Sequence, residues 1–187
     1  MRIVVGMGVL AVLAACGGNT NEVNGSYRGQ SISVSDGLLL PPQHDLLGGT
    51  VSVVVLESAP GACSLMQTSS INNTRILTIG LGIETVDGLL GPATVTGNYL
   101  IGGPPFLTPG TKLAGVRFGI IGSCGRGNTV DAISGSVRID RVITNSVGNV
   151  SHLDGAFQAV FDNGETLSGG FQVALCGGAR LSFGVCR

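Results

Sequence analysis

Apolar and polar residues alternate, or gather into β-branched stretches, over short windows along almost the whole chain. Nine such runs, at residues 27–34, 51–56, 75–83, 94–101, 112–121, 136–143, 154–161, 166–175 and 180–185, have the length and composition of strands. Between them lie residues 37–49 with Pro41-Pro42, then Pro60-Gly61, Gly102-Gly103-Pro104-Pro105, Pro109-Gly110 and residues 125–128, all of which carry turn or loop chemistry. Residues 85–91 offer one short helical turn at best, and long Ala/Leu/Glu/Lys stretches are missing. The pattern predicts one all-β domain over residues 25–187, an antiparallel sandwich or small barrel of about eight or nine strands. No linker divides it.

The C-terminal third is the best specified. Two strands repeat a Gly-x-Phe-Gln-like pattern, Gly155-Ala156-Phe157-Gln158 and Gly169-Gly170-Phe171-Gln172, joined through Asp162-Asn163-Gly164. Paired positions in a hairpin sum to a constant. Placing Phe157, Ala159 and Phe161 on the same face as Leu167, Phe171, Val173 and Leu175 makes that constant even, since a one-residue slip sends a whole row to the other face. The loop then holds an odd number of residues. A three-residue loop of Asp162, Asn163 and Gly164 satisfies this, with Gly164 at the left-handed position of a G1-bulge turn. Phe161 then faces Glu165, and Ala159 faces Leu167. A two-residue Asn163-Gly164 turn would split the two apolar rows between faces.

Composition sharpens the picture. Thirty-two glycines and seven prolines supply many turns, while two Tyr, six Phe and no Trp leave Val, Ile and Leu to fill most of the core. Charged residues make up 11% of the chain, well under the usual quarter or so. Lys112 is the only lysine, and the few basic and acidic residues are nearly balanced and unclustered. Neither nucleic acid nor an anionic surface is an expected partner.

The N-terminus has a different character. Arg2 is followed by an apolar stretch over residues 3–12 and by small residues, the tripartite build of a secretory signal. A stretch of about ten apolar residues is too short to span a bilayer as a helix, which needs about 20. Leu13-Ala14-Ala15-Cys16 resembles a bacterial lipobox. That resemblance implies that residues 1–15 are a lipoprotein signal peptide and that Cys16 opens the mature chain carrying thioether-linked diacylglycerol, usually with an added N-acyl chain. Two or three chains make such an attachment effectively permanent. Residues 16–24 then form the lipidated cysteine and a flexible, Gly-containing tether that reaches at most about 29 Å. Gly17, in place of an aspartate, points to the outer membrane under the enterobacterial sorting rule. The expected location is the cell envelope, with the membrane as partner through the anchor.

With Cys16 assigned to lipid, Cys63, Cys124, Cys176 and Cys186 remain, an even set in an exported chain, which reads as two disulfides. Of the three pairings, the ten-residue span around Gly177-Gly178 favours Cys176 with Cys186, which leaves Cys63 with Cys124. No CxxC occurs and the spacings match no zinc pattern.

The segment from Leu56 through Pro60-Gly61-Ala62 to Cys63, then Cys124, Gly135-Ser136-Val137-Arg138-Ile139, residues 155–169 and Cys176, resembles a layout recurring in uncharacterised bacterial lipoproteins. The resemblance spans roughly the last two-thirds of the chain. It implies a disulfide-braced β domain and, since its motifs are strand and turn patterns, no catalytic residues.

Candidate chemistry is sparse. The two histidines are His44, beside Asp45, and His152, two residues before Asp154, and no Gly-x-Ser-x-Gly is present. On one strand His152 and Asp154 share a face, half of a metal site with no further ligand in view. Gly122-Ser123-Cys124-Gly125-Arg126-Gly127 lacks Walker spacing and reads as a turn around a disulfide. Sequons at Asn24, Asn72 and Asn149 mean little in a bacterial lipoprotein, and 4% aromatics offer few sugar-binding platforms. The expected function is therefore a non-enzymatic structural or protein-interaction domain with an envelope protein partner and no cofactor or metal. The alternative is a carrier or sensor of an apolar ligand such as a lipid, which requires a closed barrel with a dry cavity. A hydrolase would need His44 or His152 in a cleft with Ser and Asp.

Overall fold

The computed structural model describes residues 21–44, 49–68, 74–103, 108–121 and 127–179. Eleven strands and one short helix follow each other as β1 (Glu22–Gly25), β2 (Asp36–His44), β3 (Thr50–Glu57), α1 (Ala62–Gln67), β4 (Thr74–Glu84), β5 (Leu90–Pro92), β6 (Gly97–Ile101), β7 (Lys112–Ile121), β8 (Gly127–Asp131), β9 (Ser134–Thr144), β10 (Val150–Val160) and β11 (Thr166–Ala174). The all-β expectation holds. All strands belong to one curled sheet, ordered β1-β11-β10-β9-β6-β7-β4-β3-β2, with β5 beside β4 and β8 beside β7. Pairing is antiparallel except between β6 and β7.

Curling follows from burial on one side. The concave face gathers Leu39, Val54, Leu56, Leu77, Ile79, Tyr99, Val116, Phe118, Ile139, Leu153, Phe161 and Phe171 into one core. Polar residues such as Gln158 and Gln172 alternate outward. The roll brings its two ends together beyond Ala174, where Leu39 and Leu175 form an isolated parallel bridge and the Cys176 amide donates to the Leu39 carbonyl at 2.8 Å. A second, smaller core lies on the convex side, where Ala62 and Met66 of α1 cover Leu38, Leu40, Val53, Val55, Ile76 and Ile121. This explains why residues 53–56 are apolar without interruption: β3 is covered on both faces.

The disulfide pairing differs from expectation. Cys63 is bonded to Cys176, with Cα atoms 5.6 Å apart at a sequence separation of 113. Both expected links, Cys63 with Cys124 and Cys176 with Cys186, are thereby excluded. The physical reason is the roll: α1 and the segment after β11 meet on the convex face over β2, a proximity that no local span reveals. Cys124, Cys186 and the run at 180–185 lie outside the described residues, as do residues 1–15, Cys16 and Asp45.

Strand assignments also shift. Six of the nine runs lie on β3, β4, β7, β9, β10 and β11, and the run at 94–101 shrinks to β6. Residues 27–34 form a tight turn at Tyr27–Gln30 followed by irregular chain. Residues 37–44, read as loop, belong to β2. Glu22, Val23 and Asn24, read as tether, belong to β1. Residues 85–89 make a hairpin turn and no helix, whereas α1 follows directly on the Pro60-Gly61 turn, in a stretch to which no element is assigned above.

The predicted hairpin is present as derived. Ala159 pairs with Leu167 and Val160 with Thr166. The Phe161 amide donates to the Glu165 carbonyl at 3.0 Å, the Gly164 amide to Phe161 at 2.9 Å, and Gly164 has φ +82°. The Gly-x-Phe repeat gains a meaning from register: Gly155 lies opposite Phe171 and Gly169 opposite Phe157. A Cβ on Gly155 would stand 2.8 Å from Phe171 Cζ, and one on Gly169 would stand 3.1 Å from Phe157 Cε1. Each glycine leaves room for the ring of the opposite strand.

Candidate functional site

The strands β2, β4, β9 and β11 rise toward one end of the roll, called here the upper end, and β1, β3, β7 and β10 run toward the lower. At the lower end the sheet forks. The first half of β7 pairs with β6 and its second half with β8, while β9 continues from β6. The fork opens a cleft of about 1020 Å³ between the β7–β8 ribbon and the tips of two turns.

One wall is the turn at Tyr27–Gln30, closed by reciprocal amide–carbonyl bonds of 2.9 Å. Its central residues Arg28 and Gly29 have φ of +50° and +72°, the left-handed pair of a type I′ turn. Arg28 adopts this costly conformation under three restraints. Its amide donates to Glu165 Oε2 at 2.6 Å, its guanidinium sits 5.3 Å from the Tyr27 ring centroid, and Gly29 follows it. The Tyr27 hydroxyl donates to Asp162 Oδ1 at 3.0 Å. Burial first, and then that hydrogen bond, push its pKa above the ordinary phenol value. Its ring packs 5.1 Å from Phe161 and edge-on to Phe118 at 6.4 Å.

The other wall is Phe118, Gly119 and Ile120 of β7 with Asn128, Thr129 and Val130 of β8. Among the described residues, β8 pairs only with β7, so its outer edge carries backbone donors and acceptors with no strand partner. The cleft thus combines an aromatic floor, an unpaired strand edge, amide and hydroxyl side chains and one guanidinium. This chemistry suits recognition of an extended chain.

The sequence-derived candidates lie elsewhere. His44 is exposed at the end of β2. His152 and Asp154 share a face of β10, with Nε2 and Oδ1 2.6 Å apart. That contact is too poorly aligned to be a hydrogen bond, since Oδ1 has no hydrogen-bond partner. Arg141 caps the pair, its Nε donating to Asp154 Oδ2 at 2.6 Å. The Ser151 hydroxyl bonds to the Ile143 carbonyl at 3.1 Å and does not serve His152. Among the described residues no group of three or more His, Cys, Asp and Glu could hold a metal ion, and no helix is long and apolar enough to cross a membrane. Beneath α1 the Glu57 carboxyl is fully buried with both oxygens unpartnered. Tyr27, Arg28, Gln30, Asn128 and Thr129 escaped sequence reasoning, although Arg28-Gly29 carries a turn signal.

No family model, curated protein or solved structure matches this chain.

Proposed function

We propose that the protein is a lipid-anchored lipoprotein of the cell envelope, attached through Cys16, and that its β domain is a non-enzymatic interaction module whose lower cleft receives an extended segment of an envelope protein. The observation that carries the reading is the edge of β8, without a strand partner among the described residues, beside the Tyr27–Phe118 floor. An edge strand supplies main-chain hydrogen bonds to an added strand, and neighbouring apolar side chains supply selectivity. The anchor fixes the module at a membrane surface, where its partner is concentrated in two dimensions. The apolar-carrier alternative gains no support from an interior in which Tyr99, Phe161 and Phe171 are fully buried and the small concavity at the upper end holds about 30 Å³.

Photocrosslinking residues placed at Gln30 and Asn128 of the full-length lipoprotein in cells should each give a discrete product with one envelope protein. A crosslinker at Gln158, exposed on the convex face, should not. Absence of a product at both cleft positions, or the same products from Gln158, would contradict the reading.

A further inference from the structure

Three hairpin turns in this molecule share one geometry. In each, an amide donates across five residues (Thr85 to Leu89, Asn145 to Asn149, Phe161 to Glu165) and a glycine amide closes back (Gly88, Gly148, Gly164). The glycines have φ of +79°, +83° and +82°. The two residues before each glycine face solvent, so polar side chains are the default there. The lower-end turn obeys, with Asp162-Asn163. The two upper-end turns do not: Val86 is 92% exposed and Val147 76% exposed, neither packed against anything that would account for it. Both project from the same rim, since Gly148 and Asn149 share a small concavity with Pro92 and Thr94, which follow the Val86 turn. Leu89, Val95 and Ile143 add further exposed apolar surface at this end.

The position of β1 says what covers this rim. β1 runs from Glu22, opposite Gly170, to Gly25, opposite Leu167, and so heads for the lower end. The residue before it therefore lies on its upper side. Asn21, just before β1, accepts the Gln172 amide at 2.8 Å and holds that entry point against β11. Five residue steps separate Asn21 from Cys16, a reach of at most about 18 Å. From Asp154, the partner of Gln172, to Val150 at the start of β10 is about 13 Å, and the Val147 turn tip lies just beyond it. An acylated Cys16 thus holds the upper rim against the bilayer surface.

We infer that the upper rim is a membrane-contact surface in which the Val86 and Val147 turn tips enter the headgroup–acyl boundary, leaving the β8 cleft facing away from the lipid. This rests on the lipid anchor at Cys16. The chain contains no tryptophan, so single reporters Val86→Trp, Val147→Trp and Ile133→Trp can be read without background. Ile133, 58% exposed near the lower end, is the control. The full-length lipidated protein in vesicles of phosphatidylethanolamine and phosphatidylglycerol should give blue-shifted emission that is lost with brominated acyl chains at positions 86 and 147, with neither effect at 133. Vesicle-bound protein whose three reporters all stay unquenched, or quench alike, overturns the inference while leaving the anchor intact. Protein that lacks lipid mass on Cys16 and does not float with vesicles overturns the anchor itself, and the inference with it.

Discussion

Gly164 and Gly169 are required for different reasons. Gly164 has φ +82° with nothing within 4 Å of where a Cβ would stand, whereas at Gly169 the Cβ would lie 1.9 Å from the Glu22 carbonyl oxygen. Gly164→Ala meets only backbone strain and should cost about 1–2 kcal/mol in urea unfolding. Gly169→Ala must dislodge β1 and should cost more, and a smaller loss at 169 than at 164 would contradict the pairing. Glu57 is a further residue-scale test. Burial raises its pKa above the ordinary carboxyl value; Thr74, whose hydroxyl makes no aligned hydrogen bond to it, opposes the shift, and the charge of Asp36 adds to it. A carboxyl raised in the folded state contributes stability below its unfolded pKa and loses it as pH rises through the folded value. Glu57→Gln should therefore match the wild type in acid and exceed it in urea midpoint at neutral pH. A gap independent of pH would contradict this. Burial also pushes the Tyr99 phenol to about 12, so it stays a donor to the Val95 carbonyl at 2.8 Å. Tyr99→Phe should cost about 1 kcal/mol.

At the scale of elements, legibility followed how local the constraint was. The β10–β11 hairpin could be derived because face parity and one glycine fix its loop. β2 could not, because Pro41-Pro42 and Gly37 argue against a strand. The structure admits them by making β2 the sheet edge and shifting register between Leu40 and Gln43, where a proline's missing donor costs little. β1 has no apolar alternation to reveal it, and pairs because Gly169 lets its backbone approach. The Cys63–Cys176 bond and the cleft are set by how the sheet rolls, which brings together residues far apart in sequence. Peptide mapping of unreduced protein should recover Cys63 linked to Cys176, leaving Cys124 and Cys186 as the remaining pair; a Cys63–Cys124 peptide would contradict the roll. The double substitution Cys63→Ser/Cys176→Ser should lower stability by about 2–5 kcal/mol. Phe171→Ala, at the centre of the concave core, should cost about 3–5 kcal/mol.

The whole molecule has two unlike ends. Exposed valines mark the rim on the side where Asn21 leads into β1, and the other end presents a strand edge without a strand partner among the described residues, an aromatic floor and a strained Arg28. Such polarity suits a domain held at a surface by one end and working with the other, provided the chain is acylated. That condition is read from four residues, Leu13-Ala14-Ala15-Cys16. Detergent phase partitioning with intact mass measurement tests it most directly. The wild-type protein should begin at Cys16, carry diacylglyceryl mass on that residue and enter the detergent phase, and Cys16→Ser should stay in the aqueous phase. A wild-type chain without lipid mass that partitions as Cys16→Ser does would contradict the account.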